Sequence, residues 1–269
     1  MRDEHGYTFI HPFDDENVIA GQGTIGLELL DQLPDVEAVV VPVGGGGLIS
    51  GVAYAVKSLN PNVKVYGVQA SGAPSMVNSL HDHKQEKLAK VSTIADGIAV
   101  KEPGSVTFDI CLRYVDDIVT VSEDEICAAI LHLIESEKMV AEGAGAASVA
   151  AVMFNKVPVK GKKTICVVSG GNIDVTILSR VINRGLAKSG RICTLIIELA
   201  DKPGQLLKVC QVIAAQGGNI VSVYHERNND SKKVTDCVLR LSVETKNQEH
   251  VESITKALTD NGLKIRENI

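Results

Sequence analysis

The sequence predicts an α/β chain. A parallel sheet with helices on both faces covers residues 1–188, and a smaller ferredoxin-like βαββαβ unit covers residues 189–269. Three observations predict it. Short β-branched runs alternate with helical patterns from residue 37 to residue 186, the order that builds parallel sheets. Apolar content is 45% with only 3% aromatic, so Gly, Ala and Val carry the core, which suits helices packed closely on a sheet buried on both faces. After Lys188-Ser189-Gly190-Arg191 the order changes to strand, helix, two strands, helix, strand.

The first residues, 7–13, read as a short strand. Asp14-Asp15-Glu16 then offers capping chemistry for a helix through Ile19, Leu27 and Leu30 that ends near Pro34. Gly21, Gly23 and Gly26 each cost that helix about 1 kcal/mol relative to Ala, so tight packing or a nearby ligand is expected. Residues 38–43 form a strand and 48–59 a helix. Pro61 separates that helix from the next strand, 63–69. The polar stretch 71–90 holds a short helix around 75–80, with His81 and His83 on a solvated surface. Residues 118–121 form a strand. Ser122 and Glu125 stand three apart as a capping box for a helix reaching Met139. Residues 144–154 make a helix of small residues, 163–168 a buried strand ending in Ser169-Gly170-Gly171-Asn172, and 174–186 a helix. In the second unit the strands are 193–199, 219–227, 234–244 and 263–265. Helices open at Asp201-Lys202-Pro203-Gly204 and at Gln248, and a polar hairpin spans 228–233.

Composition excludes several classes. A net charge of −6 argues against a nucleic-acid partner, which needs a concentrated basic surface. No window approaches the length of a membrane span, and the first residues do not read as a signal peptide, so no membrane partner and a cytoplasmic location are expected. The cysteines at 111, 127, 166, 193, 210 and 237 show no C-x-x-C pair and read as reduced core residues, so no metal site is expected from them.

Two Gly-rich turns each follow a predicted strand: Gly44-Gly45-Gly46-Gly47 and Ser169-Gly170-Gly171-Asn172. Ligands of an open parallel sheet sit at the C-terminal ends of strands, so both turns can face one crevice. A turn needs only one or two glycines, so a run of four allows a close approach and several N–H groups aimed at an anion, most often phosphate. Close backbone packing or a loose loop is the competing explanation. Neither turn matches G-x-G-x-x-G or G-x-x-x-x-G-K-[ST], so neither a dinucleotide nor a P-loop site is supported.

Five segments together resemble threonine ammonia-lyase (threonine dehydratase), a pyridoxal-phosphate enzyme of the fold-type II (tryptophan-synthase-β-like) group. They are Ile19-Ala20-Gly21-Gln22-Gly23-Thr24, Val41-Pro42-Val43-Gly44-Gly45-Gly46-Gly47-Leu48, Ile94-Ala95-Asp96-Gly97, Ala141-Glu142-Gly143-Ala144-Gly145 and Val168-Ser169-Gly170-Gly171-Asn172. They keep the family's order and cover residues 7 to about 188. The remainder resembles an ACT domain, the small module that binds amino acids, with Asp201-Lys202-Pro203-Gly204 as its signature loop. The resemblance implies pyridoxal 5'-phosphate as cofactor, with its phosphate held by Gly44, Gly45, Gly46, Gly47 and the Leu48 amide and its pyridine nitrogen by Ser169. A neutral hydroxyl does not enforce a protonated ring, which suits β-elimination. Asp96 and Glu142 are expected near the cleft. Asp201, Gly204 and Asn219 are implied to hold an amino-acid effector: helix N-terminal amides suit its carboxylate and Asp201 its ammonium. L-threonine, with L-serine as the alternative, is the implied substrate, and a homo-oligomer is implied for the full-length enzyme.

The sequence departs from the family in two places. Related serine racemases carry a metal-binding Glu where this chain has Gln69 and an Asp where it has Ser75, and a hard divalent ion wants such anionic oxygens. That difference favours a dehydratase. The second departure is larger: the family's Schiff-base lysine lies in a Ser-Phe-Lys-x-Arg-Gly segment, and no such segment occurs in this sequence. Lys57, Lys64 and Lys156 have no matching neighbours. Covalent catalysis needs an amine at the cofactor aldehyde, so the resemblance implies that roughly a hundred or more N-terminal residues of the family lie outside this sequence and that the chain alone is inactive. Two other readings remain open beside threonine deamination: a serine dehydratase or racemase relative, and a non-catalytic amino-acid-binding regulatory protein.

Overall fold

The computed structural model describes residues 5–227 and 236–266. It divides into two compact units, Met1–Val181 and Ile182–Ile269. The division falls inside a helix, whereas the sequence places it after residue 188.

The first unit is built on a parallel sheet of β1 (Ala38–Pro42), β2 (Lys64–Ala70), β3 (Asp117–Val121) and β4 (Thr164–Cys166), in the order β3-β2-β1-β4. Its helices are α1 (Glu16–Gln32), α2 (Gly47–Leu59), α3 (Ser75–His81), α4 (Ser105–Tyr114), α5 (Glu123–His132) and α6 (Gly143–Met153); α7 (Val175–Lys188) spans the division. Period-two alternation splits the sheet's side chains between two cores. Ala38, Val40, Tyr66 and Val68 face α5 and α6, while Val39, Val41, Val43 and Val65 face α2 and α4. β1 is buried at every position, which is why it reads as a continuous β-branched run rather than an alternating one.

α1 and α2 cross closely because their facing residues are small. A Cβ at Gly51 would lie 2.3 Å from Ile19 O, and one at Gly26 3.0 Å from Val52 O. Two of the three predicted helix-weakening glycines are therefore packing residues, while Gly21 meets nothing within 4 Å.

Three expectations are corrected, and one further helix is found. Residues 7–13 form no strand; Tyr7, Phe9 and Ile10 are exposed, and among the described residues no strand pairs with them. The helix expected to reach Met139 ends at His132, widens to a π-turn over Leu133–Glu137, and stops at Lys138 in a left-handed conformation. β4 is shorter than expected and half-buried, because it lies at the sheet edge and among the described residues pairs only with β1. α4 lies where the sequence predicts no helix, and its N-cap residue Gly104 supplies no side-chain cap. Its capping carboxylate is Asp14, far upstream, whose oxygens accept from Ser105 N (2.9 Å), Val106 N (2.9 Å) and Thr107 N (3.2 Å). Asp15 caps α1 as expected, and the Ser122–Glu125 capping box is present.

The second unit holds an antiparallel sheet of β5 (Ile192–Ala200), β6 (Asn219–Glu226), β7 (Asp236–Glu244) and β8 (Lys264–Arg266), ordered β6-β7-β5-β8, with helices α8 (Gln205–Ala215) and α9 (Gln248–Asp260). This is the expected βαββαβ topology. Ile197, Ile213, Leu239, Leu241, Ile254 and Leu258 form its fully buried core. The predicted hairpin at 228–233 and the start of the strand at 234 lie outside the described residues.

Candidate functional site

The chain leaves the sheet at the end of β1. Val43 N still donates to Val68 O at 2.8 Å, and the glycine run follows. Gly46, at φ +102°, is the N-cap of α2 and supplies no side-chain cap. The left-handed backbone there calls for glycine, since a Cβ would clash with its own carbonyl. Gly44 to Leu48 line a cavity of about 340 Å³ that also takes in Phe13, Gly97, Glu142 and Ser169. Predicted phosphate-cradle residues and the predicted ring partner Ser169 are thus brought to one cavity. A larger groove of about 750 Å³, lined chiefly by apolar side chains including Ile19, Leu27, Tyr54 and Ile110, takes in neither glycine turn.

Close packing and anion chemistry meet in the same turn. A Cβ at Gly45 would lie 2.3 Å from Phe13 Cε2, and one at Gly46 would lie 2.7 Å from Met76 Cε and 2.8 Å from Thr107 Cβ. Glycine is therefore required on the protein side, while the cavity side keeps an uncapped helix N-terminus. Such a terminus, with no competing side-chain oxygen from its cap, suits a phosphate.

The turn is braced from two directions that the sequence did not announce. Gln69 is fully buried. Its Oε1 accepts from Met76 N (2.9 Å) and Val77 N (3.0 Å), and its Nε2 donates to Val43 O (3.3 Å) and Gly44 O (3.4 Å). The amide read from sequence as a missing metal carboxylate thus ties the glycine run to the start of α3. From the other side, Thr107 Oγ1 donates to Gly45 O at 2.6 Å and Gly104 N donates to the same oxygen at 3.2 Å. Both donors are placed by Asp14 through α4. Burial pushes the Asp14 carboxyl up, but the Thr107, Ser105 and Val106 amides outweigh it and hold it below the usual carboxylate range.

Glu142 precedes α6 and lines the cavity. Its Oε1 would lie 2.5 Å from a Cβ at Gly170 and 3.2 Å from one at Gly97, so the carboxylate sits between these two glycines. Glu142 N donates to Gly170 O at 3.1 Å, which fixes the second glycine turn against α6. Asp96 is placed differently: it is exposed, its Oδ1 accepts from Gly97 N at 2.9 Å, and the cavity is lined by Gly97 and Ile98 instead. The lysines weighed from sequence are paired with carboxylates: Lys57 and Lys64 with Asp116 (2.6 and 2.7 Å) and Lys156 with Glu125 (2.9 Å).

In the second unit Asp201 follows β5, and Gly204, at φ +86°, caps α8 without a side chain. Both line a cavity of about 500 Å³ with His225, Arg227 and Cys237. Asn219 is not brought there. It pairs with Glu244, whereas Ala200, next to Asp201, pairs with Asp236. The length of β7 from Asp236 to Glu244, about 26 Å at ~3.3 Å per residue, separates the two ends. Asn219 Nδ2 instead donates to Glu244 Oε2 at 2.8 Å. Because β5 and β6 run the same way on either side of β7, the start of one cannot meet the end of the other within a single unit.

Comparison with known proteins places this geometry. Residues 1–171 match the family described as Pyridoxal-phosphate dependent enzyme, and residues 189–261 match the ACT domain. An L-threonine ammonia-lyase of Thermotoga maritima is 51% identical over 266 residues, which is 99% of this chain and 66% of that protein. One from Geobacter sulfurreducens is 44% identical over 257 residues, 96% of this chain and 64% of that protein. The solved processed form of threonine deaminase isoform 2 from Solanum lycopersicum superposes with a TM-score of 0.65 at 42% identity, covering 68% of this chain and 54% of that one. The chain thus spans less than two thirds of the length of these relatives. It belongs to the pyridoxal-phosphate dependent enzymes of fold-type II, with an ACT domain following the catalytic fold.

Proposed function

We propose that the chain is the phosphate-binding and regulatory portion of an L-threonine ammonia-lyase, which converts L-threonine to 2-oxobutanoate and ammonia. The observation that carries this reading is the single cavity shared by Gly44–Leu48, Glu142 and Ser169, on a chain 51% identical to a relative of that name. Gly44 to Gly47 and the Leu48 amide hold the cofactor phosphate at the α2 N-terminus. Ser169 holds the pyridine nitrogen through a neutral hydroxyl. Pyridoxal phosphate, when bound, supplies an electron-withdrawing ring that stabilises negative charge at the substrate α-carbon. Glu142, between Gly170 and Gly97, keeps a carboxylate at the cleft, and Asp96 supports the Gly97 side of it by holding the Gly97 amide.

The 269 residues contain no Ser-Phe-Lys-x-Arg-Gly segment, so we assign the covalent anchor to sequence outside them and expect the 269-residue polypeptide to be inactive by itself. Residues 1–188 act as the catalytic portion and 189–269 as the regulatory domain, within a homo-oligomer of the full-length enzyme. Asp201 and Gly204 hold an amino-acid effector, and Asn219 reaches such a ligand only from another copy of the domain. The test is 2-oxobutanoate formation from L-threonine, with L-serine as the comparison substrate. The purified chain should give none, and a chain complemented with a relative's N-terminal portion should turn over. Turnover by the isolated chain would overturn the anchor assignment, and inactivity of the complemented one with both substrates would overturn the lyase reading. A thermal-shift screen of the twenty amino acids, run with chelator present, tests the effector site separately.

A further inference from the structure

The sequence offers no metal-ligand spacing, yet the ACT fold gathers three ligand types from separate elements. Asp201 comes from the turn after β5, His225 from β6 and Cys237 from β7. One ligand atom from each lies within 4.8 Å of the other two. His225 Nε2 stands 3.8 Å from Asp201 Oδ1, and Cys237 is only 3% exposed. We propose that Asp201, His225 and Cys237 form a binding site for a divalent transition-metal ion of the zinc class.

The chemistry selects that class. A thiolate, an imidazole and a single carboxylate oxygen form a mixed sulfur–nitrogen–oxygen set, which suits zinc and its neighbours and is wrong for magnesium or calcium. Ion bonds of about 2.0–2.3 Å place tetrahedral ligand atoms about 3.5 Å apart, so the three side chains close by only about an ångström. Two anionic ligands balance a dication. The carboxylate's second oxygen is already engaged: Arg227 Nε lies 3.1 Å from Asp201 Oδ2, leaving Oδ1 toward His225. This is the outer-shell partnership that orients a ligating carboxylate. Three protein ligands leave a fourth position open, and all three residues line the cavity of about 500 Å³. A surface ion pair beside an unrelated core cysteine would explain the Asp201–Arg227 contact, but it gives no reason for His225 to face the other carboxylate oxygen or for a ligand atom of Cys237 to lie within 4.8 Å of both partners.

The test uses the full 269-residue chain, stripped with chelator and titrated with Co²⁺ as a spectroscopic stand-in, followed by Zn²⁺. One equivalent of Co²⁺ should give a thiolate-to-cobalt charge-transfer band that Zn²⁺ then abolishes. Cys237→Ser should remove the band. His225→Ala, at a partly exposed position outside the core, should retain it but weaken Co²⁺ binding by at least about tenfold. No band in the parent chain, a band unchanged in Cys237→Ser, or parent affinity in His225→Ala would each overturn the proposal. The metal and effector sites share Asp201, so the amino-acid screen is run in chelator, where a shift reports effector binding without the metal and the two readings can be told apart.

Discussion

Replacing Gln69 by leucine removes one side chain that ties the glycine run to the start of α3. Leucine fills a similar volume but can neither accept from Met76 N and Val77 N nor donate to Val43 O and Gly44 O. Each buried amide left without an acceptor costs about 1–3 kcal/mol. The two donated bonds, at 3.3 and 3.4 Å, are long and add little. α3 is short and can shift slightly to relieve its amides, so a total of about 3 kcal/mol is expected, in the lower half of the range for the pair of amides. For a unit of this size that is a fall in Tm of about 6–12 °C, read by far-ultraviolet circular dichroism on the whole chain. Gln69→Glu separates hydrogen bonding from volume. The carboxylate still accepts both amides but faces two carbonyls with no donor, which favours its protonated form and raises its folded pKa. A raised folded pKa means that its stability contribution is present at low pH and is lost as pH rises through that value, so this variant should gain on the parent chain on acidification. A loss below about 1 kcal/mol for Gln69→Leu, or a pH-insensitive Gln69→Glu difference, would refute the bracing role.

Other outcomes follow from the same geometry. Gly46→Ala forces a Cβ to 2.7 Å from Met76 Cε at a left-handed residue, and should cost about 2–4 kcal/mol together with cofactor binding, measured by pyridoxal-phosphate titration. Asp14→Ala removes the cap of α4 and with it the anchor of Thr107 on Gly45, for about 1–2 kcal/mol in urea unfolding. Asp14, Asp116 and Glu125 all have folded pKa values held below the ordinary range: burial pushes each up, but amide hydrogen bonds hold down Asp14, Lys57 and Lys64 hold down Asp116, and the Ser122 amide with Lys156 holds down Glu125. Their stabilisation is complete above pH ~4.5 and is lost as pH falls through the folded values, so an acid titration of unfolding should show stability declining below about pH 4. Ile197→Ala, at a fully buried position of β5 between β7 and β8, should destabilise the ACT unit by about 2–5 kcal/mol.

The sequence by itself determined the fold class, the glycine run at a strand end and the βαββαβ tail, because these rest on local periodicity and local backbone requirements. β1 could be recognised because a strand buried on both faces is β-branched throughout, and the α5 cap because Ser122 and Glu125 satisfy each other within one turn. Tertiary structure decided what depends on partners distant in the chain. Asp14 caps a helix that begins at Ser105, so α4 carries no signal in its own stretch. Gln69 looks like a substituted ligand until the fold places two amides and two carbonyls around it. Asn219 and Asp201 seem to belong together by resemblance, yet strand direction holds them at opposite ends of one sheet, while His225 and Cys237, silent in spacing, arrive beside Asp201. Periodicity reports which face a residue takes; only strand order and register decide which other residues share that face at the same end.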